Sequence, residues 1–225
     1  METRIFSRVI NQEQDSIMDG SIEVHSLRSI ERSHGGVDTT ANILLIDTSG
    51  STREPTSATD DTPKLARAKE VMTMTLSRLP ASSYFSLISF DDPAKVEISL
   101  QPLRERLTAI KAVQRLAYSE STGMRGALTL ALRELRKVPV GYFSRIFCVS
   151  DGMGSDGSCI EIADKLKALA QVQFIGLGSG EEIDEDTMRQ LASVSKTGKG
   201  TFYMHFTEFS EMGRYMRSQT QVISD

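Results

Sequence analysis

From residue 41 onward, short apolar runs alternate with stretches whose apolar residues recur at helical spacing. That alternation predicts a parallel α/β sheet. Residues 43–47, 84–90, 95–100, 145–150 and 172–176 read as strands, and "GTFYM" near residue 202 as a last one. Leu65, Ala68, Met72, Leu76 and Leu79 fall on one face of a first helix. Thr62 and Pro63 before it suit its N-cap and first position. Leu103, Leu107, Ile110 and Val113 mark a second helix, and Met124, Leu128, Ala131 and Leu135 a third. Ser158 with Glu161 three residues on is a capping box for a fourth. A fifth is expected over 184–195, and Phe209, Met212 and Met216 mark a final one. The turn "DDPA" between 84–90 and 95–100 is short enough to predict an antiparallel hairpin. Residues 1–37 are polar and form an expected N-terminal arm, with "SIEVHSL" able to add one edge strand. The stretch "TREPTSATDDTP", residues 52–63, has the composition of a flexible, turn-forming loop.

A chain of 225 residues suits one α/β domain with a short extension. Its 39% hydrophobic and 25% charged residues are ordinary for a globular protein. The net charge of −4 and the scatter of the basic residues argue against a nucleic-acid surface, which needs a clustered basic face. No apolar stretch approaches the ~18 residues of a membrane span. The N-terminus lacks the apolar core of a signal peptide. Cys148 and Cys159 have neither disulfide-framework nor metal-site spacing, and read as reduced thiols. A cytoplasmic protein is therefore expected.

The candidate chemistry sits where strands end. Asp47, Ser49 and Ser51 lie in "ILLIDTSGS", at and just past the first apolar run. Asp151 ends the run "IFCVS", and Thr122 opens the third helical pattern. Taken singly, each is an ordinary cap or turn residue. Taken together, five hard oxygen donors at loop–element junctions suit a small hard divalent cation. Open α/β sheets also bind their ligands at such an edge. Other sites are weaker. "GLGSGEE" lacks the dinucleotide spacing, no phosphate-binding P-loop or nucleophile elbow occurs, and His25, His34 and His205 are isolated.

This constellation resembles the metal-ion-dependent adhesion site of the von Willebrand factor A domain family. The pattern there is D-x-S-x-S, then a Thr starting a helix, then an Asp after a later strand. "FSLISFDD", "TGMRGALTLAL" and "FIGLGSGEEIDEDTMRQLA" add to the likeness, which covers roughly residues 38–218 and leaves 219–225 as a tail. Two features depart from the pattern: Ser121 stands where Gly usually precedes the Thr, and the loop after Ser51 is longer. The resemblance implies a Rossmann-like, doubly wound, mostly parallel six-stranded sheet of order 3-2-1-4-5-6, strand 3 antiparallel, with helices on both faces. It implies that Asp47, Ser49, Ser51, Thr122 and Asp151 hold Mg²⁺, with Mn²⁺ or Ca²⁺ as substitutes. It also implies a non-enzymatic, intracellular bacterial-type module whose metal takes an Asp or Glu of a protein partner, such as an AAA+ ATPase or another complex component.

Two alternatives stay open. An Asp after a first strand can act as a nucleophile beside Mg²⁺, which would make this a phosphoryl-transfer enzyme or receiver-like domain using Asp47. Against it, Ser49 stands where a haloacid-dehalogenase-type phosphatase needs a second Asp. The other alternative is a scaffold whose metal site is silent. One further expectation concerns the 52–63 loop: Asp60 or Asp61 could visit the metal and compete with a partner's carboxylate.

Overall fold

The computed structural model describes residues 39–90, 92–121, 123–152, 159–178, 183–194 and 203–206. All of these but Val194 belong to one compact unit, Thr39–Ser193 with Phe202–Asp225. The N-terminal arm, Thr122, the Ser158 cap, the final helix and the tail lie outside the described residues.

Six strands form the main sheet: β1 (Thr40–Asp47), β4 (Tyr84–Phe90), β5 (Lys95–Pro102), β6 (Phe143–Ser150), β7 (Gln171–Leu177) and β8 (Tyr203–Phe206). Their order is β5-β4-β1-β6-β7-β8. Counted along this sheet, that is the expected 3-2-1-4-5-6. All neighbours pair in parallel except β4 with β5, which pair antiparallel as expected.

Every residue of β1 is buried, which explains its nearly unbroken apolar run. Ile43 and Leu45 face one core with Ile146, Phe174 and the helices α3 (Met124–Leu135), α4 (Ile160–Lys167) and α5 (Glu185–Leu191). Leu44 and Ile46 face the other, with α1 (Lys64–Arg78) and α2 (Arg106–Arg115). The sheet is thus covered on both faces. The helices that follow β1 and β6 lie on opposite faces, the arrangement in which open α/β sheets bind ligands beyond the C-terminal ends of two adjacent strands.

Several local expectations are corrected. In the second helix Leu107 is 73% exposed, and Ala109 and Val113 carry its buried face. Pro63 stands at the N-cap of α1 and Thr62 belongs to the strand before it. The fifth helix ends at Leu191, with Asp184 capping it by accepting from Thr187 N–H at 3.1 Å.

The 52–63 stretch is ordered into a short 3₁₀ turn (Gly50–Arg53) and a hairpin of β2 (Pro55–Ser57) and β3 (Asp60–Pro63). Lys64 N–H donates to the Glu54 carbonyl at 2.9 Å and closes the hairpin's base. The Thr56 hydroxyl donates to the Thr62 carbonyl at 2.7 Å. Asp60 receives the Arg67 guanidinium on both oxygens, at 2.8 and 3.0 Å, which with the Thr62 bonds holds its carboxyl down at about 2. A carboxylate gripped by this fork is tied to α1. That geometry disfavours Asp60 as an internal competitor for a metal.

Candidate metal centre

The centre is built at the C-terminal ends of β1 and β6. Asp47 is the last residue of β1, and its carboxylate is 1% exposed. Ser49 N–H donates to its Oδ1 at 2.9 Å, a local turn that D-x-S spacing forms by itself. Ser150, the last residue of β6, donates its hydroxyl to Asp47 Oδ2 at 2.6 Å. Gly152 N–H in turn donates to Ser150 Oγ at 2.9 Å. This short chain of bonds fixes both oxygens of Asp47 and ties the two strand ends together.

Asp151 follows Ser150 and is also 1% exposed. Burial, then the neighbouring Asp151 charge, push the Asp47 carboxyl up from 3.8 to about 6, against the lowering pull of the Ser150 and Ser49 bonds. Gly152 makes the turn beyond with φ +83°, and a Cβ there would lie 2.5 Å from Met188 Cε. The positive φ is the condition that favours glycine here.

The hydroxyls complete the donor set. Ser49 Oγ and Ser51 Oγ lie 3.1 Å apart. Thr52 secures this turn, its hydroxyl donating to the Ser49 carbonyl at 2.6 Å. The segment before Thr122 is anchored to the same place: Ser119 donates to the Thr48 carbonyl from its N–H at 2.7 Å and its hydroxyl at 3.1 Å. Of the five expected site residues, four are therefore placed at adjoining strand ends, and Thr122 is outside the described residues.

Two participants were not anticipated. Ser150 read only as the end of an apolar strand, yet it holds Asp47. Lys64 has no part in the sequence reading, yet it is 2% exposed. Its ammonium lies 3.8 Å from Asp151 Oδ2 and 3.2 Å from Glu54 Oε2. A side chain of this kind is normally buried only with partners. The single sequence signal was its place directly after Pro63.

The donor chemistry fits a hard divalent cation. Two buried carboxylates stand at these strand ends beside the Ser49 and Ser51 turn, and a bound cation would relieve their mutual repulsion. Among the described residues, no three His, Cys, Asp or Glu side chains gather as a metal site.

The chain matches the family model described as the von Willebrand factor type A domain over residues 43–218. It is similar to an uncharacterised protein, sll0103, of Synechocystis sp., with 27% identity over 156 residues, 68% of this chain. The chain spans 35% of that relative's length. Two solved structures share the fold. A von Willebrand factor type A protein from Catenulispora acidiphila gives a TM-score of 0.67 at 20% identity, covering 82% of this chain and 42% of that one. The manganese-loaded TRAP protein of Plasmodium vivax gives 0.62 at 20% identity, covering 81% and 73%.

Proposed function

Because the chain belongs to the von Willebrand factor type A domain family, we propose that Asp47, Ser49, Ser51, Thr122 and Asp151 hold a divalent cation and that the loaded site binds an acidic side chain of a protein partner. The observation that carries this reading is the pair of buried carboxylates, Asp47 and Asp151, beside the paired hydroxyls of Ser49 and Ser51. Such domains commonly mediate metal-dependent protein–protein interaction. The manganese in the similar TRAP structure supports a hard cation here, and Mg²⁺ is the proposed cellular ion.

The bound cation would supply a Lewis-acidic position that a carboxylate can enter in place of water. The chain's residues do the rest. Ser150 and the Ser49 N–H orient Asp47, the Ser119 bonds hold the neighbouring loop, and the hydroxyls add no further negative charge to repel an acidic ligand. The reading is non-enzymatic. Hydrolysis of a generic phosphate ester, lost in Asp47→Asn, would support the phosphoryl-transfer alternative instead.

A partner from an AAA+ complex and a bacterial type are proposed on family analogy alone. Among the described residues, no helix is long and apolar enough to cross a membrane. A cytoplasmic setting is proposed because the chain carries two cysteines at a spacing that suits no disulfide framework, as expected in a reducing compartment.

The direct test is a pull-down from lysate of the source cells with Mg²⁺, with chelator, and with Mg²⁺ restored. Capture should depend reversibly on the cation and be lost in Asp47→Asn. Capture that survives excess chelator would place recognition on another surface.

Proton competition gives a second test. A cation must displace the proton that Asp47 holds below about pH 6. Calorimetric Mn²⁺ affinity should be about tenfold weaker at pH 5 than at pH 7. A flat profile across that range would remove Asp47 from the ligand set.

A further inference from the structure

We propose that Lys64 is a built-in countercharge of the metal centre, one that loosens the cation and makes the loaded site more attractive to an acidic ligand. This rests on the metal-centre reading above and adds to it a residue outside the donor set.

The burial of Lys64 is the first observation. Its side chain is among the largest fully buried ones of the described residues. A Cβ on Gly178, just past β7, would lie 3.3 Å from Lys64 Cε, so the Lys64 stem runs close against that strand end. The ammonium is thereby directed to Asp151 Oδ2 at 3.8 Å, on the rim beyond β6. Burying a charge is costly unless the charge is matched. Here Lys64 is matched by Glu54, which accepts a hydrogen bond from the ammonium at 3.2 Å, and by Asp151, a carboxylate of the centre itself, at 3.8 Å.

The charge balance gives the consequence. Asp47 and Asp151 contribute two negative charges, and the serine hydroxyls contribute none. With a divalent cation these four groups would be neutral, and a neutral site offers an incoming carboxylate only the cation's local field. Lys64 raises the loaded centre to a net charge of about +1. The same charge repels the cation. At protein-interior distances a unit charge changes such equilibria by about tenfold even with substantial screening. Glu54, whose side chain is 57% exposed and 3.2 Å from the ammonium, partly offsets it from the solvent side.

A purely structural tie would behave differently. Loss of a tie disturbs the centre, so cation and ligand affinity fall together. Loss of a countercharge moves them in opposite directions.

The experiment uses the full chain with Mn²⁺, reading free Mn²⁺ by electron paramagnetic resonance. Acetate is then titrated at saturating Mn²⁺, its displacement of metal-bound water followed by water-proton relaxation. Lys64→Met should bind Mn²⁺ about tenfold more tightly and acetate about tenfold more weakly. Glu54→Gln, at an exposed position, should shift both constants the other way by about two- to threefold. If Lys64→Met fails to fold by circular dichroism, Glu54→Gln decides alone. A wild-type chain that binds no Mn²⁺ overturns the metal-centre reading and this inference with it. A wild-type chain that binds Mn²⁺, with variants that leave both constants unchanged or move them in the same direction, overturns the countercharge alone.

Discussion

Asp47→Asn should make the metal-free protein more stable at neutral pH, while removing its response to divalent cations. Asp47 is buried beside Asp151, and its carboxyl is pushed from 3.8 to about 6. The folded state therefore favours the protonated form, and ionisation at pH 7 costs about 3 kcal/mol of stability. The sign follows directly. Below about pH 4 the carboxyl is protonated in both folded and unfolded chains, and no penalty applies. The penalty grows as pH rises and is complete once pH exceeds about 6. Asparagine keeps the shape and the acceptor for Ser49 N–H, and its amide can donate to Ser150 Oγ. Allowing for that less favourable pairing, the gain should be about 2 kcal/mol in chelator. For a domain of this size that corresponds to a rise of about 4–8 °C in Tm. Thermal scans in chelator between pH 4 and pH 8 check both parts. The wild type should lose stability across pH 4–6, and Asp47→Asn should lack that slope. Adding Mg²⁺ should raise the wild-type Tm and leave the variant's unchanged. A destabilised Asp47→Asn in chelator would show that the carboxylate is a structural hub rather than a strained ligand.

Glu134→Ala should be the other large effect, a loss of about 3 kcal/mol. Glu134 lies on α3 and is 3% exposed. Between Phe85↔Gln101 and Leu87↔Ile98 the β4–β5 register shifts, so Ser99 and Leu100 together oppose Ser86. Such a bulge leaves a backbone N–H without a ladder partner. Glu134 Oε2 accepts that Leu100 N–H at 2.7 Å and the Ser99 hydroxyl at 3.2 Å. Lys137 pairs with its other oxygen. Truncation would strand the N–H and open a cavity, and each contributes about 1–3 kcal/mol. Urea unfolding should show the lower midpoint with an unchanged slope. Glu134→Gln, which keeps an acceptor, should lose less than half as much. Equal loss in both variants would shift the cause from the Leu100 bond to the charge itself.

These two residues mark the limits of legibility in different ways. Asp47 stood out because D-x-S-x-S is local. Its first bond, from Ser49 N–H, spans two residues, and the apolar run before it announces a buried strand end. Glu134 gave no such signal. On its helix it reads as one polar residue among several, and its role depends on a bulge in a strand 34 positions earlier. Leu107 failed in the opposite sense. It continued an apolar spacing that began at Leu103, but that residue precedes the helix and α2 turns Leu107 outward.

By itself the sequence determined the succession of the six main-sheet strands and of the first five helices, the burial of β1, the antiparallel β4–β5 hairpin, and the placing of Asp47, Ser49, Ser51 and Asp151 at or just past strand ends. Those features follow from periodicity and from turn chemistry within a few residues, which a linear chain displays. The tertiary structure decided what those residues meet. Ser150 reaches Asp47 across 103 positions, because β1 and β6 are neighbours in the sheet. Lys64 reaches Asp151 because α1 begins above the same edge, and the 52–63 stretch becomes a hairpin because its two ends are bonded there. Burial of a lysine or a glutamate has no periodic signature. It is permitted only by a partner that another element brings, so it becomes visible only when the chain is folded.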